Sequence, residues 1–252
     1  MISPIAYNTA WSRTRLRSPE IWYTWGILEP YVHKTANRLE IGAGMFPKFS
    51  VRGTYFLDTS THAIDELNKQ GGKGVVRGAE ERLPFQRDFF DLVGAFEVLE
   101  HLEKPERAIS EVAKTVKPGG LFILSVPMNP GYWSSWDVFA GHVQRFEPDQ
   151  LNTFLEKEGF SVEHCYVSWK LAKMRLFSWC MRQVGSLPLH FPNFFFFLYN
   201  YMVSPYTWFG RTFSRLHHYP SLSLIPQDST SALVVCRKLN RVVSLLDNGN
   251  YM

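Results

Sequence analysis

The sequence predicts an α/β protein built on a doubly wound parallel sheet, and three observations support this fold class. From about residue 37 to residue 168, short apolar runs alternate with segments of helical periodicity. Several runs end at a glycine or an acidic residue, as strands often do before a tight turn. The run LFILSV is almost continuously apolar, which is typical of a strand buried on both faces. Sheets of this class bind ligands at the carboxyl ends of their strands.

The predicted elements follow one another in a regular order. Strands are expected in NRLEIG, TYFLD, GVVRGAE, DLVGAF, LFILSV, SVEHCYV and SALVVCRK. Helices are expected in HAIDELNKQGG, which two glycines end, in KPERAISEVAKTV, which KPGG ends, and in EPDQLNTFLEKEGF, whose first turn is acidic. Strands and helices therefore alternate over the middle of the chain.

The alternation breaks after residue 168. Residues 169–225 hold clustered aromatic residues, including FPNFFFFLYNY, and several prolines, and a clean strand returns only at SALVVCRK. We interpret 169–225 as a helical insertion or cap before the last strand, within a single domain that covers residues 1–252. Residues 1–35 are expected to form an N-terminal cap.

The composition excludes several classes of protein. A hydrophobic content of 45% and a charged content of 20% describe a globular chain with a full core. The 3 cysteines are widely spaced and form no C-x-x-C pair, which argues against a disulfide framework or a zinc knuckle. The N-terminal residues lack the apolar run of a secretory signal. We therefore expect a cytoplasmic protein.

The stretch LEIGAG predicts a ligand-binding turn at the end of the first strand. Its glycines allow a tight turn and a close approach of backbone to ligand, and a following helix would offer free N–H groups. Pro47 stands where a dinucleotide-binding fingerprint has its third glycine. Asp58, at the end of the second strand, supplies a carboxylate for ribose hydroxyls or, alternatively, the N-cap of the next helix.

Taken in order, five motifs resemble class I S-adenosylmethionine-dependent methyltransferases, in particular their type 11 small-molecule branch. They are E-x-G-x-G, the acid that ends strand two, GAEERLPFQRDFFDLV, FEVLEHL and VKPGGLFILSVP. The resemblance covers about residues 36–168 and returns at 230–238. It implies a Rossmann-like seven-stranded methyltransferase sheet of order 3-2-1-4-5-7-6, with the last strand antiparallel.

The resemblance also implies a set of residues that bind S-adenosyl-L-methionine: Glu40, Gly42, Ala43, Gly44, Asp58, Thr59, Ala79, Glu80, Leu83, Phe96 and Glu97. Glu40 would lie beside the methionine amino group, and Asp58 would hold the ribose hydroxyls. Ala79 and Glu80 would flank the adenine, and Glu97 would lie against the sulfonium end. The chain departs from the family at Phe46, where a third glycine is common, so the turn is expected to be displaced there.

The stretch FEVLEHL and the later His142 raise a second question, the nature of the acceptor site. If a helix begins there, Glu97, Glu100 and His101 project from one face. Ubiquinone-pathway O-methyltransferases and small-RNA 3′-terminal 2′-O-methyltransferases have a similar E-x-x-E-H. This resemblance implies that Glu97, Glu100, His101 and His142 bind a divalent cation, Mg, Mn or Zn. Alternatively, the cluster is metal-free, and His101 or His142 is catalytic as a general base.

The chemistry of methyl transfer accounts for both alternatives. The acceptor oxygen must lie in line with the methyl carbon and be at least partly deprotonated. A cation lowers the pKa of a hydroxyl, and a neutral imidazole can accept its proton. We therefore expect a methyltransferase that acts on a small or amphiphilic acceptor, most simply at a hydroxyl. The alternatives are an RNA-directed methyltransferase and an inactive regulator that binds S-adenosylmethionine.

The charge distribution suggests partners. Residues 1–163 carry 18 Lys and Arg against 21 Asp and Glu, whereas residues 164–252 carry 9 against 2. A basic, aromatic 169–225 segment suits a lipid-like acceptor and peripheral contact with an anionic membrane. It could instead cap the pocket or form a homodimer. Nucleic acid is disfavoured, because the basic residues are sparse and the phenylalanines are contiguous.

Overall fold

The computed structural model describes residues 12, 14–167 and 216–240. In these ranges the chain forms one eight-stranded sheet, with strands β1 Arg38–Ile41, β2 Tyr55–Asp58, β3 Lys73–Val76, β4 Phe90–Phe96, β5 Val116–Pro127, β6 Phe160–Val167, β7 His217–Tyr219 and β8 Ser231–Lys238. The α-helices are α1 Trp25–Lys34, α2 Thr61–Lys69, α3 Pro105–Thr115, α4 Ser135–Ala140 and α5 Pro148–Lys157. Within the described ranges, no helix has both the length and the apolar character that a membrane span requires.

The strand order is β3-β2-β1-β4-β5-β8-β6-β7. Strands β1 to β5 run parallel, and β8 lies antiparallel between β5 and β6. With β8 counted as the seventh predicted strand, this arrangement confirms the predicted order and the antiparallel last strand. The sheet has the Rossmann-like methyltransferase topology.

One strand was not predicted. The edge strand β7 pairs antiparallel with Cys165–Val167 of β6 and lies inside the segment 169–225. The prediction that this segment is helical is therefore wrong at 217–219, where three residues satisfy backbone groups of the β6 edge. Residues 169–215 of the predicted insertion lie outside the described residues.

Both faces of the sheet are covered, so the central strands are buried on both sides. Successive residues of β4 point to opposite faces: Leu92 packs with Trp25 and Leu28 of α1, and Val93 packs in the larger core with helices α3 and α5. This double burial explains why β4 and β5 consist of nearly continuous apolar sequence.

The expected helix after β1 is absent. Between Ile41 and Tyr55 the chain forms only turns, so no helix N-terminus lies beside the glycine turn. The carboxylate of Glu40 compensates locally, because its Oε1 and Oε2 accept the backbone N–H groups of Lys48 and Phe49, each at 2.8 Å. The buried carboxylate thus fixes the loop that a helix would otherwise hold.

The described part of the N-terminal segment lies against this loop. The backbone N–H of Arg17 donates to the Met45 carbonyl oxygen at 3.0 Å, and the indole Nε1 of Trp22 donates to the Pro47 carbonyl oxygen at 3.2 Å. These contacts place residues 17–22 beside the glycine turn. That residues 1–35 act as a cap stays a prediction.

Candidate active site

The glycine turn at the end of β1 has a backbone conformation that requires glycine. Gly42 and Gly44 have φ angles of 70° and 50°, in the left-handed region. A Cβ on Gly42 would also lie 2.5 Å from Cγ2 of Val98. The backbone therefore passes close to the loop after β4, and the Val98 side chain packs against the turn.

Asp58 lies where β2 ends and is almost fully buried, with 2% of its surface exposed. Its Oδ2 accepts the N–H of Gly44 and its Oδ1 accepts the N–H of Ser60, both at 2.8 Å. Burial raises the pKa of this carboxyl, and the backbone hydrogen bonds oppose the rise. Each oxygen of a carboxylate can accept two hydrogen bonds, so the carboxylate still has capacity for a hydroxyl.

The loop after β3 carries the predicted adenine-binding residues. Ala79 packs on the main core and Leu83 is buried within it. The exposed Glu80 accepts the backbone N–H of Lys104 at 3.0 Å, just before α3. This bond ties the loop to the start of α3 at the carboxyl edge of the sheet.

The stretch FEVLEHL does not begin an α-helix. Only Leu99–His101 form a 3-10 helix, and Glu97 precedes it with a φ of 54°, which is unusual for a residue with a side chain. The predicted shared helical face is therefore wrong. The Oγ of Ser125 on β5 donates to the Glu97 carboxylate at 2.7 Å and holds it at the end of β4. Phe96, the last residue of that strand, is buried beside it.

Glu100, His101 and His142 nevertheless come together. One ligand atom of each lies within 4.8 Å of the other two, and the two imidazole rings are 5.0 Å apart between centroids. Glu97 lies outside this group of atoms but close to it, since its charge raises the pKa of Glu100. The structure thus brings the predicted acceptor-side residues to one place, with Glu97 at its border.

Glu100 is the unusual member of this cluster. It is 0% exposed, and neither carboxylate oxygen has a hydrogen-bond partner among the residues that the structure describes. Burial, followed by the charge of Glu97, raises its pKa well above the ordinary value. A buried carboxyl without a partner carries a large desolvation cost, so the site is suited to a ligand that would pair with it.

The two histidines are held in one tautomer. The Nδ1 of His101 lies 3.1 Å from the Gly141 carbonyl oxygen, and the Nδ1 of His142 lies 2.9 Å from Oδ1 of Asp137. Both partners are acceptors at neutral pH, so each Nδ1 carries the proton. In the neutral form of either ring Nε2 is then the acceptor, and the Nε2 of His142 lies 3.8 Å from Oε1 of Glu100.

Asp137, paired with Arg145, holds His142 in place. This interaction was not predicted from the sequence. The Asp137 carboxylate is fully buried and accepts from Nε and Nη2 of Arg145 at 2.8 and 3.0 Å. It also accepts from the N–H and hydroxyl of Ser134, which form a capping box on α4. The pattern S-x-x-D before a short apolar run was a usable signal for this N-cap.

Comparisons with known proteins identify the family of the chain. A family model described as a methyltransferase domain matches residues 30–165, which is more than half of the chain. The chain belongs to this methyltransferase family. The matched segment of the methyltransferase includes the glycine turn, Asp58 and the cluster around Glu100.

Two curated relatives match part of the methyltransferase. A protein of Encephalitozoon cuniculi named as a methyltransferase is 32% identical over 109 residues, 40% of this chain and 52% of that protein. The 2-methyl-6-phytyl-1,4-hydroquinone methyltransferase 1 of rice, Oryza sativa, is 30% identical over 113 residues, 41% of this chain and 32% of that protein. The methyltransferase therefore spans about half or less of the length of these relatives.

A solved structure shares the fold over nearly the whole methyltransferase. An S-adenosylmethionine-dependent methyltransferase of Thermotoga maritima superposes with a TM-score of 0.55 at 15% identity, covering 87% of this chain and 91% of that one. This likeness supports the class I sheet topology described above.

Proposed function

We propose that the protein is an S-adenosylmethionine-dependent methyltransferase that transfers a methyl group to a hydroxyl of a small or amphiphilic acceptor. The observation that carries the proposal is the adjacency of two sites. The glycine turn with Asp58 and the cluster of Glu100, His101 and His142 both lie at the carboxyl edge of the sheet. A cofactor site would thus open directly onto a polar acceptor site.

The residues of the first site fit the cofactor. Gly42 and Gly44 give the turn its left-handed backbone, Asp58 has acceptor capacity for ribose hydroxyls, and Glu97 is an exposed carboxylate suited to a cationic centre. When bound, S-adenosylmethionine supplies an electrophilic methyl group. The protein has to position an acceptor atom in line with that group and remove its proton.

The histidines are suited to the removal of that proton. Each has its Nε2 as a free acceptor, because its Nδ1 is bound to an oxygen. Burial lowers the pKa of His101, so this imidazole is neutral near pH 7 and can accept a proton from a hydroxyl. These features support an oxygen acceptor, since a hydroxyl has to lose its proton as the new bond forms.

We further propose that Glu100, His101 and His142 hold a divalent cation. The support is chemical: a buried carboxylate without a partner faces imidazole nitrogens whose opposite ring atoms are hydrogen-bonded, the usual arrangement of metal-ligating histidines. Two nitrogens and a carboxylate suit zinc or manganese better than magnesium, which prefers oxygen ligands. Such a cation would lower the pKa of an acceptor hydroxyl.

An amphiphilic acceptor is supported by apolar side chains near the cluster. Trp133, Val138 and Val143 are 44%, 67% and 45% exposed, and they lie in the segment that also carries His142. The rice relative is named for a phytyl hydroquinone. By analogy we propose an acceptor with a hydroxylated head and an apolar tail. Peripheral membrane contact through 169–225, a cytoplasmic location and a homodimer stay predictions.

Labelled transfer tests the reaction and its acceptor. Purified protein is incubated with S-adenosylmethionine carrying a labelled methyl group and with fractionated polar and lipid extracts. We expect label in a hydroxyl-bearing, organic-soluble product. Label found only in RNA would support the RNA-directed alternative, and cofactor binding without transfer to any fraction would support the inactive regulator.

Metal removal tests the cation separately. Protein treated with EDTA and then desalted is titrated with Mn²⁺ or Zn²⁺ by calorimetry. Wild type should bind one ion, and the variants Glu100→Gln and His142→Ala should not, whereas His164→Ala on β6 should bind as wild type does. Full transfer activity in excess EDTA would reject the cation and leave the histidines as bases.

A further inference from the structure

Lys48 is a half-buried lysine on the cofactor side of the site, and the proposed reaction assigns it no role. It stands in the loop after the glycine turn, and Glu40 fixes that loop through the backbone N–H groups of Lys48 and Phe49. The Lys48 ammonium lies 3.1 Å from the centroid of the Trp22 ring and 3.3 Å from the Phe46 carbonyl oxygen. Its position is therefore determined by a fixed loop and an aromatic face.

Trp22 is itself held in place. Its indole Nε1 donates to the Pro47 carbonyl oxygen at 3.2 Å, and its ring packs edge-on against Phe46 at 5.7 Å between centroids. A cation over the face of a tryptophan is attracted by the ring quadrupole. The N-terminal segment and the glycine loop thus form one cradle around the Lys48 ammonium.

Among the residues that the structure describes, no anion is in direct contact with the Lys48 ammonium. None of the ion pairs among the described residues includes Lys48. Burial lowers the pKa of Lys48 to about 7 and the charges of Glu40 and Glu97 oppose this, so an anion placed against the ammonium would favour its charged form. Both oxygens of Glu40 accept backbone N–H groups, and Glu97 accepts from Ser125. An ammonium has three donors, and the hydrogen bond to the Phe46 carbonyl oxygen uses one.

We propose that Lys48 binds the α-carboxylate of the amino-acid tail of S-adenosylmethionine. This inference rests on the proposed function. The cofactor has one anionic group, the carboxylate, and two cationic groups, the ammonium and the sulfonium. Lys48 stands among carboxylates of the same site, so a zwitterionic tail can place its carboxylate on Lys48 and its ammonium towards Glu40 or Glu97.

Binding of three compounds tests the proposal without any turnover. Calorimetry is run with S-adenosylmethionine, with S-adenosylhomocysteine, and with 5′-methylthioadenosine, which lacks the amino-acid tail. In Lys48→Met we expect the affinity for the first two to fall about tenfold or more, the usual effect of losing a hydrogen bond to a charged group. The affinity for 5′-methylthioadenosine should stay as in wild type. Lys48→Arg should recover most of the lost affinity.

Lys73→Met is the matched control. Lys73 also lies over an aromatic ring, with its ammonium 4.6 Å from the Tyr55 centroid, but it is exposed on the edge strand β3. This variant should bind all three compounds as wild type does. Equal affinity of Lys48→Met and wild type for S-adenosylmethionine would overturn the proposal, as would tighter binding.

The remaining outcomes distinguish a failure of the proposed role of Lys48 from a failure of the proposed function. Weakening of all three compounds by the same factor in Lys48→Met would mean that the loop, and not a carboxylate contact, was lost, and would overturn the role of Lys48. Wild-type protein that binds none of the three would overturn the proposed function itself. Thermal melting of each variant confirms that it is folded.

Discussion

The buried carboxylates of the two halves of the site differ in whether their oxygens accept hydrogen bonds. In the cofactor half, Glu40 and Asp58 are buried, and all four oxygens accept backbone N–H groups of neighbouring loops. In the proposed acceptor half, Glu100 is equally buried, but its oxygens have no hydrogen-bond partner among the described residues, and the Nε2 of His142 lies 3.8 Å from Oε1. The first pair stabilises the loops that shape the pocket. Glu100 contributes no such bond, and its burial costs free energy until a ligand pairs with it.

This difference indicates which residues serve the fold and which serve the reaction. A buried polar group that satisfies backbone donors is part of the scaffold, and its loss should destabilise the protein. A buried polar group without partners is retained for another reason, so its loss should leave stability unchanged or raise it. The following substitutions test this distinction, in order of decreasing expected effect.

The largest effect is expected at Arg145, which belongs to the scaffold of the acceptor half. Arg145→Met leaves the buried Asp137 carboxylate without its bidentate partner. We expect the free energy of unfolding to fall by about 3–5 kcal/mol, the usual cost of breaking a buried ion pair by removing one member. Urea unfolding followed by circular dichroism measures it. A loss below about 1 kcal/mol would show that water replaces the guanidinium at this site.

The next effect concerns cofactor affinity. Asp58→Ala should weaken the binding of S-adenosylmethionine by about 1.5–3 kcal/mol, because a hydrogen bond to a charged group is lost. It also removes the acceptor of the Gly44 N–H, so the glycine turn loses support. Calorimetry on folded protein gives the affinity. Unchanged affinity would reject Asp58 as the ribose ligand.

The two buried glutamates provide a matched pair. Glu40→Gln should lower the free energy of unfolding by about 1–3 kcal/mol, because the new amide group faces a backbone N–H that needs an acceptor. Glu100→Gln removes no existing hydrogen bond, so stability should be unchanged or higher, while metal binding is lost. Chemical denaturation of both variants in metal-free buffer compares them. A similar loss of unfolding free energy in the two variants would contradict the distinction between Glu40 as a scaffold residue and Glu100 as a ligand-binding residue.

The smallest effect is on the pH dependence of stability. Burial favours the neutral form of Asp137, but hydrogen bonds from His142, Arg145 and Ser134 outweigh it and hold its pKa below the ordinary value. An acid with a lowered pKa adds stability above its unfolded-state pKa of about 4, and this is lost as pH falls below that value. The slope from this group is at most about 1.4 kcal/mol per pH unit. Asp137→Asn should show a shallower loss between pH 4 and 3.

Much of the fold was readable from sequence because double burial leaves a strong pattern. The apolar runs of β4 and β5 predicted these strands, and the glycines that follow β1 predicted the ligand-binding turn. The strand order was implied by the resemblance to methyltransferases. The edge strand β7 was not predicted, because three residues with exposed histidines have no apolar period. The missing helix after β1 was also not foreseen, since the bond between Glu40 and the loop is a tertiary contact.

Of the four predicted members of the cluster, the structure groups Glu100, His101 and His142, and the geometry differs from the prediction. Glu100, His101 and His142 meet because the segment after β5 returns over the end of β4, where the Val143 N–H donates to the Glu100 carbonyl oxygen at 2.8 Å. Helical spacing did not bring them together. The tautomer of His101 depends on Gly141, and that of His142 depends on Asp137. No local sequence pattern connects His101 with Gly141.

The place of β8 in the sheet has a consequence for how the chain folds during synthesis. This strand fills the gap between β5 and β6, yet it begins at Ser231, long after β6 ends at Val167. Until it emerges from the ribosome, β5 and β6 each expose an unpaired edge, and such edges recruit other strands. Closing this gap requires a contact that is distant in sequence, which slows folding. A nascent chain that stalls before residue 231 should therefore be more prone to aggregation than a chain that has synthesised β8.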